Sequence, residues 1–118
     1  MLKDNAVREK SYNFGLSTAL FCKNLIEEQK EYILSKQLMR SGTSVGANVE
    51  EALQAESRKD FIHKLSIALK EENESYYWLR IIRDCGYSKP IKLQPLLSLI
   101  QEVIALLTSI IKSTKAKT

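Results

Sequence analysis

Asp60 and His63 stand three residues apart, a spacing that puts a carboxylate and an imidazole on the same side of one helical turn. Carboxylate and histidine pairs at that spacing hold the metals of di-iron helical bundles, but such a centre needs a second pair from another helix. His63 is the single histidine of the chain, so the set cannot be completed within one copy, and the residue is expected on a helix surface. No glycine-rich phosphate loop, Ser/His/Asp set or Cys/His pair accompanies it. The expectation is therefore a protein that is not an enzyme and takes no metal or other cofactor.

Two polar residues fall where apolar ones belong. Asn48 lies three residues after Val45, and Glu72 lies four from both Ala68 and Tyr76. A buried amide or carboxylate costs several kcal/mol unless it is hydrogen-bonded or paired, so both are expected in a buried polar cluster that fixes register, with Arg40 or Lys70 as partner. Gly42 and Gly46 each cost about 1 kcal/mol relative to alanine inside a helix. With Ser41, Thr43, Ser44 and Ala47 they form a small-residue surface suited to close approach of another helix, or of a nucleic-acid backbone.

The remaining chemistry is cationic. The chain carries 18 Lys and Arg against 14 Asp and Glu, a net charge of +4 that permits an anionic partner without requiring one. From residue 91 onward, Lys92, Lys112, Lys115 and Lys117 face only Glu102, so the excess gathers toward the C-terminus. Arg58, Lys59 and Lys64 cluster earlier, where a third helix should start. In an antiparallel bundle that start lies beside the end of the fourth helix, so Arg58, Lys59, Lys64, Lys112, Lys115 and Lys117 become one candidate nucleic-acid-binding patch, reinforced by helix-start amides. The competing reading is a solvated charged end. Tyr76, Tyr77 and Trp78 offer stacking surfaces for bases, although helical spacing assigns Tyr76 and one neighbour to packing first.

Four helical segments must position these residues in one domain spanning 1–118. The first, about 5–28, sets Val7, Phe14, Thr18, Phe21 and Leu25 at steps of three and four; the second, about 30–55, repeats the spacing with Leu34, Leu38, Val45, Val49 and Ala52. The third, about 58–85, opens on Ser57 and Asp60 as a capping box and stops at Gly86. The fourth is apolar over a wide arc, with Leu93, Leu97, Ile100, Ile104, Leu107 and Ile111 on one stripe and Leu96, Val103 and Ile110 on the next. Pro90 and Pro95 lack amide donors, which places its regular part at about 94–113. No alternation of period two supports a strand. The expected architecture is all-α, an antiparallel up-down-up-down four-helix bundle. Cys22 and Cys85 read as reduced packing residues. No uncharged apolar run reaches the roughly 18 residues of a membrane span, and residues 1–5 lack a signal-peptide core, so a cytoplasmic protein without a membrane partner is expected.

These residues also carry a resemblance. Ser11-Tyr12-Asn13-Phe14, Gln37-Leu38-Met39-Arg40, Ser44-Val45, Asn48-Val49-Glu50-Glu51, the run Ser57-Arg58-Lys59-Asp60-Phe61-Ile62-His63-Lys64-Leu65-Ser66-Ile67-Ala68-Leu69-Lys70-Glu71, and Tyr77-Trp78-Leu79 look like the four-helix bundle family encoded in intervening sequences of bacterial 23S ribosomal RNA genes. That family resembles the accessory variability proteins of diversity-generating retroelements, basic pentameric rings that bind nucleic acid and a reverse transcriptase. The resemblance implies a bacterial homo-oligomer, with a pentameric ring as the expected assembly, and partners among RNA, DNA and a protein such as a reverse transcriptase. The function expected is a non-enzymatic oligomeric bundle that binds RNA or DNA through a basic surface. The alternative is a protein–protein interaction scaffold that binds no nucleic acid. Salt dependence separates the two, because phosphate neutralisation releases counterions and apolar contact does not.

Overall fold

The computed structural model describes residues 6–117 as four helices: α1 Ala6–Gln29, α2 Ile33–Leu53, α3 Arg58–Asp84 and α4 Pro90–Ala116. Asn5, the expected start of the first helix, lies outside the described residues. Short connections force each helix to run against its predecessor. Packing follows a square: α1 on α2, α2 on α3, α3 on α4 and, most thinly, α4 back on α1, while the diagonal pairs do not approach one another. The result is an up-down-up-down bundle 48 × 20 × 20 Å across, with no strand among the described residues.

Each helix turns one stripe inward. Val7, Phe14, Thr18, Cys22 and Leu25 come from α1, Leu38, Val45, Val49 and Ala52 from α2, and Leu65, Ala68, Leu79 and Ile82 from α3. On α4 the buried line mixes the two expected stripes, running through Leu93, Leu96, Ile100, Val103, Leu107 and Ile111, while Leu97, Ile104 and Ile110 pack half-buried on its flanks. By length and composition alone α4 could also cross a membrane. Gly42 and Gly46 serve the α1–α2 contact: a Cβ on Gly42 would sit 2.8 Å from Thr18 Cγ2, and one on Gly46 would sit 3.3 Å from the Ser11 carbonyl oxygen.

The helix ends show what the residues between them do. Lys30 takes a left-handed turn at φ 56°, so α2 starts three residues later than its apolar spacing suggests. Glu31 then caps it, its carboxylate accepting from the amides of Ile33 (3.1 Å), Leu34 (3.0 Å) and Ser35 (2.8 Å) and from the Ser35 hydroxyl (3.1 Å). Burial alone would raise the Glu31 carboxyl, but these four bonds outweigh it and hold the group below the ordinary carboxylate value. Glu31→Ala is expected to cost about 1–2 kcal/mol, as loss of a helix cap does. Because the folded value is lowered, that contribution is present above about pH 4.5 and lost as pH falls through the folded value, which urea titrations of both proteins at pH 7 and pH 3 will show.

At the start of α3, Ser57 Oγ accepts from the Asp60 amide at 3.0 Å, as expected, but the reciprocal bond to Asp60 Oδ2 comes from the Glu56 amide at 3.4 Å, one residue before the cap. At its end Gly86 adopts φ 77°, with its own amide closing on the Arg83 carbonyl and the Tyr87 amide on that of Ile82. The start of α4 departs from expectation. Pro90 occupies the first helical position, where its missing amide would have had no intrahelical acceptor, and Pro95 lies inside the helix. The bond Pro95 cannot make is the one to the Ile91 carbonyl; both residues are exposed, so water can take its place.

Candidate nucleic-acid interface

The topology brings the two cationic clusters to one end, as the sequence predicts. Arg58 Nη1 donates to the Lys117 carbonyl oxygen at 3.0 Å, tying the first residue of α3 to the residue just past α4. Lys59, Lys112, Lys115 and Lys117 are exposed around this contact. Beside it opens a cleft of about 650 Å³ with Phe61, Leu106 and Ile110 in its walls and Ser57, Ser109 and Ser113 among its polar groups. Lys64 is already paired within the bundle: its Nζ lies 2.9 Å from Glu51 Oε1, and this hydrogen bond and charge raise its pKa. Part of its charge is thus already answered within the bundle.

The reinforcement expected from the helix-start amides is weakened. The Asp60 amide is taken by Ser57, and the Asp60 and Glu56 carboxylates stand at the same helix start, so that start is a poorer phosphate cradle than expected. The aromatic residues lie elsewhere. Tyr77 is 19 residues beyond Arg58 on α3, about 28 Å along a helix axis. Tyr77 is exposed and meets Trp78 edge-on with ring centroids 5.0 Å apart; Arg80 lies 4.9 Å from the Tyr76 ring, and Trp78 Nε1 donates to Glu74 at 3.0 Å. Stacking and phosphate contact therefore do not share a surface.

The expected buried polar cluster of Arg40, Asn48 and Glu72 does not assemble. Glu72 is fully buried, and among the described residues neither of its carboxyl oxygens has a hydrogen-bond partner. Desolvation pushes its pKa up to about 9, so it sits in the core as a neutral acid. Asn48 is half-buried and turns back on its own helix, donating to the Ser44 carbonyl at 2.9 Å and the Ser44 hydroxyl at 3.1 Å. Arg40 is exposed, because it lies on the outer edge of α2, where it pairs with Glu71 at 3.3 Å and with Glu74. Lys70 is exposed as well. The buried polar contact that does link helices is Ser41 to Ser75 at 2.8 Å, joining α2 to α3.

Cys22 is buried, as a packing residue, with its thiol raised to about 12, chiefly by desolvation and then by Glu31, whereas Cys85 is exposed at the α3 cap. His63 is exposed on α3, and among the described residues no three His, Cys, Asp or Glu side chains gather as a metal-ligand group. The stripe expected on the first helix, from Val7 to Leu25, misses a second apolar face on α1. Tyr12, Leu16 and Leu20 are exposed on the side opposite Phe14 and Thr18, a pattern visible as apolar residues at i, i+4 and i+8.

Comparison with known proteins agrees with this architecture. The model of the 23S rRNA-intervening sequence protein family matches residues 3–109. A crystal structure of a protein of unknown function from the S23 ribosomal protein family of Bacteroides thetaiotaomicron VPI-5482 is similar over 90% of this chain and 98% of its own, with 47% identity and a TM-score of 0.88. No curated protein matches. With a similar fold at 47% identity and a family match over residues 3–109, the chain belongs to the 23S rRNA-intervening sequence protein family.

Proposed function

We propose that this protein is a non-enzymatic, self-associating helical bundle that binds RNA or DNA through the basic end where α3 begins and α4 finishes. The observation that carries the reading is the Arg58–Lys117 contact, which joins two clusters 59 residues apart in sequence into one surface. A charge of +4 is thin on one bundle, but five copies in the ring that the resemblance implies would carry about +20 and could focus it on one rim. Affinity would then come from phosphate neutralisation, largely without sequence preference. A second reading, a scaffold that binds only protein, draws support from the exposed Tyr12, Leu16 and Leu20 face and from the distance between Tyr77 and the basic end.

The test is fluorescence anisotropy with generic RNA and DNA at about 50 and 200 mM salt. Wild-type protein is expected to bind at the lower salt and to lose affinity steeply at the higher. Replacing Arg58, Lys59, Lys64, Lys112, Lys115 and Lys117 with Gln is expected to weaken binding at least about tenfold, with an unchanged circular dichroism spectrum. Gln is preferred to Glu, since a carboxylate at position 64 would oppose Glu51. Absence of wild-type binding at the lower salt would leave the scaffold reading in its place.

A further inference from the structure

The cleft beside the basic end has parts that phosphate contact does not use. Phe61, Leu106 and Ile110 in its walls are half-buried residues on the flank of the core. Ser109 and Ser113 stand four residues apart on α4, both exposed, and neither hydroxyl has a hydrogen-bond partner among the described residues. Arg58 and Lys117 line the cleft as well; the bond between them uses one N–H of the guanidinium and leaves its charge at the opening. Along the stretches 52–61 and 106–117, which supply most of the lining, Arg58, Lys59, Lys112, Lys115 and Lys117 outnumber the carboxylates of Glu56 and Asp60. The volume of about 650 Å³ falls within the roughly 300–1,000 Å³ of pockets that take small organic groups.

An unpaired nucleotide presents at once what these parts require: a phosphate for the cations and, on the same unit, a base with apolar faces and polar edges. In a duplex the faces are covered by neighbouring bases and the edges by the opposite strand, so its phosphates can reach the cations while the cleft stays unused. We infer that the cleft is a base pocket. Single-stranded RNA or DNA runs across the basic end with its phosphates on Arg58, Lys59, Lys112 and Lys117, and turns one base in against Phe61, Leu106 and Ile110, the edge of that base bonded to Ser109 and Ser113. A hydroxyl both donates and accepts, so the serines serve the edge of any base, and the pocket selects an unpaired strand without selecting a sequence. Tyr77 and Trp78, remote from this end, take no part. The inference rests on the nucleic-acid reading above and narrows its ligand to unpaired strands. A ring of five would repeat the pocket five times along the basic rim, so a strand long enough to span neighbouring copies would gain affinity by multivalency.

The test is fluorescence anisotropy of the full chain at about 50 mM salt with three probes of equal length: a thymidine strand, the same strand annealed to its complement, and a strand of abasic sites with the same phosphates. The thymidine strand is expected to bind at least about tenfold more tightly than either of the others. Ser113→Phe fills the pocket from an exposed position, so it is expected to bring the thymidine strand to within about twofold of the abasic one, with duplex affinity and Tm unchanged. Ser109→Ala with Ser113→Ala should weaken the thymidine strand about threefold and leave the abasic strand unaffected. These positions are preferred to Phe61, whose truncation would loosen the flank of the core. Equal binding of the thymidine and abasic strands, or retention of the full difference by Ser113→Phe or by the double alanine variant, overturns the inference and leaves the cleft to an apolar side chain of a protein partner. If the intact and abasic strands bind alike and the sixfold Gln variant loses both, the nucleic-acid reading stands and the pocket alone falls. Absence of binding to all three probes brings both down.

Discussion

Glu72→Leu is expected to raise the stability of the bundle at pH 7 by roughly 3 kcal/mol and to remove most of its pH dependence between pH 5 and 8.5. The Glu72 carboxyl group is fully buried, has no partner on either oxygen among the described residues and is held neutral at a pKa of about 9. In the unfolded chain the same group titrates near 4.5. Its folded value is raised, so the folded state binds the extra proton and folding is least penalised below pH 4.5, where both states are protonated. Above that, the unfolded chain gives up its proton while the folded one retains it, and stability falls by about 1.4 kcal/mol per pH unit until the folded group ionises near 9. Leucine fills similar space with no proton to hold. Glu31 acts only in acid, and Cys22 only from about pH 9 upward, where the unfolded thiol ionises and the buried one does not, so the interval from pH 5 to 8.5 largely isolates Glu72 from these two. Urea unfolding of both proteins at pH 5, 7 and 8.5 measures the effect. Parallel pH profiles would mean that Glu72 is ionised and compensated in the folded protein, contrary to its burial without a partner.

Gly42→Val is expected to destabilise the bundle by about 3 kcal/mol, the upper end of ordinary overpacking costs. Helix propensity works in the opposite direction, since almost any residue improves on glycine inside a helix by several tenths of a kcal/mol. A net loss therefore reports the contact. Thr18 is buried and β-branched, and its Cγ2 would lie 2.8 Å from the new Cβ, with its own Cβ at 3.3 Å and Oγ1 at 3.4 Å. Neither atom group is the loose end of a long side chain, so α1 and α2 would have to separate. A smaller pair of changes tests the cause: Gly42→Ala should cost less on a Thr18→Ser background, which lacks Cγ2, with a coupling of about 1 kcal/mol. Thermal melts of the four proteins give the cycle. Additive effects would place the strain somewhere other than Thr18.

The features legible in the sequence were those set by local chemistry or by period. Ser57 and Gly86 marked the ends of α3 because a side-chain cap and a left-handed glycine act within a few residues of themselves. The meeting of Arg58 with the end of α4 was legible because antiparallel topology alone places them together. What was not legible depended on neighbours across the bundle. The period put Glu72 inside, but the rule that a buried carboxylate must be hydrogen-bonded or paired led to Arg40 or Lys70 as its partner; neutral, it needs no cation, Arg40 is claimed by Glu71 and Glu74 on the surface, and Lys70 is exposed. The pairing of Lys64 with Glu51 crosses the α2–α3 connection and leaves no pattern in the sequence. The reading that starts the fourth helix at about 94 counts the missing bond of Pro95 as a cost that only a helix start can bear, and that cost is small where the orphaned carbonyl belongs to an exposed residue. The outer face of α1 was written plainly in the spacing of Tyr12, Leu16 and Leu20, but a reading that seeks one buried face per helix passes over it.

The square arrangement of the helices also orders the making of the protein. Three of its four packed seams join helices that follow one another in the chain, and only α1 against α4 joins the two ends. The chain can therefore build α1–α2 and then α2–α3 as it leaves the ribosome, each by closing one short loop, which is the local kind of contact that folds quickly. Until α4 arrives, the core stripe through Phe14 and Leu79 stays open on one side, and that interval is when a nascent chain has most need of protection from its neighbours. The thinnest seam of the finished bundle is thus also the last to close.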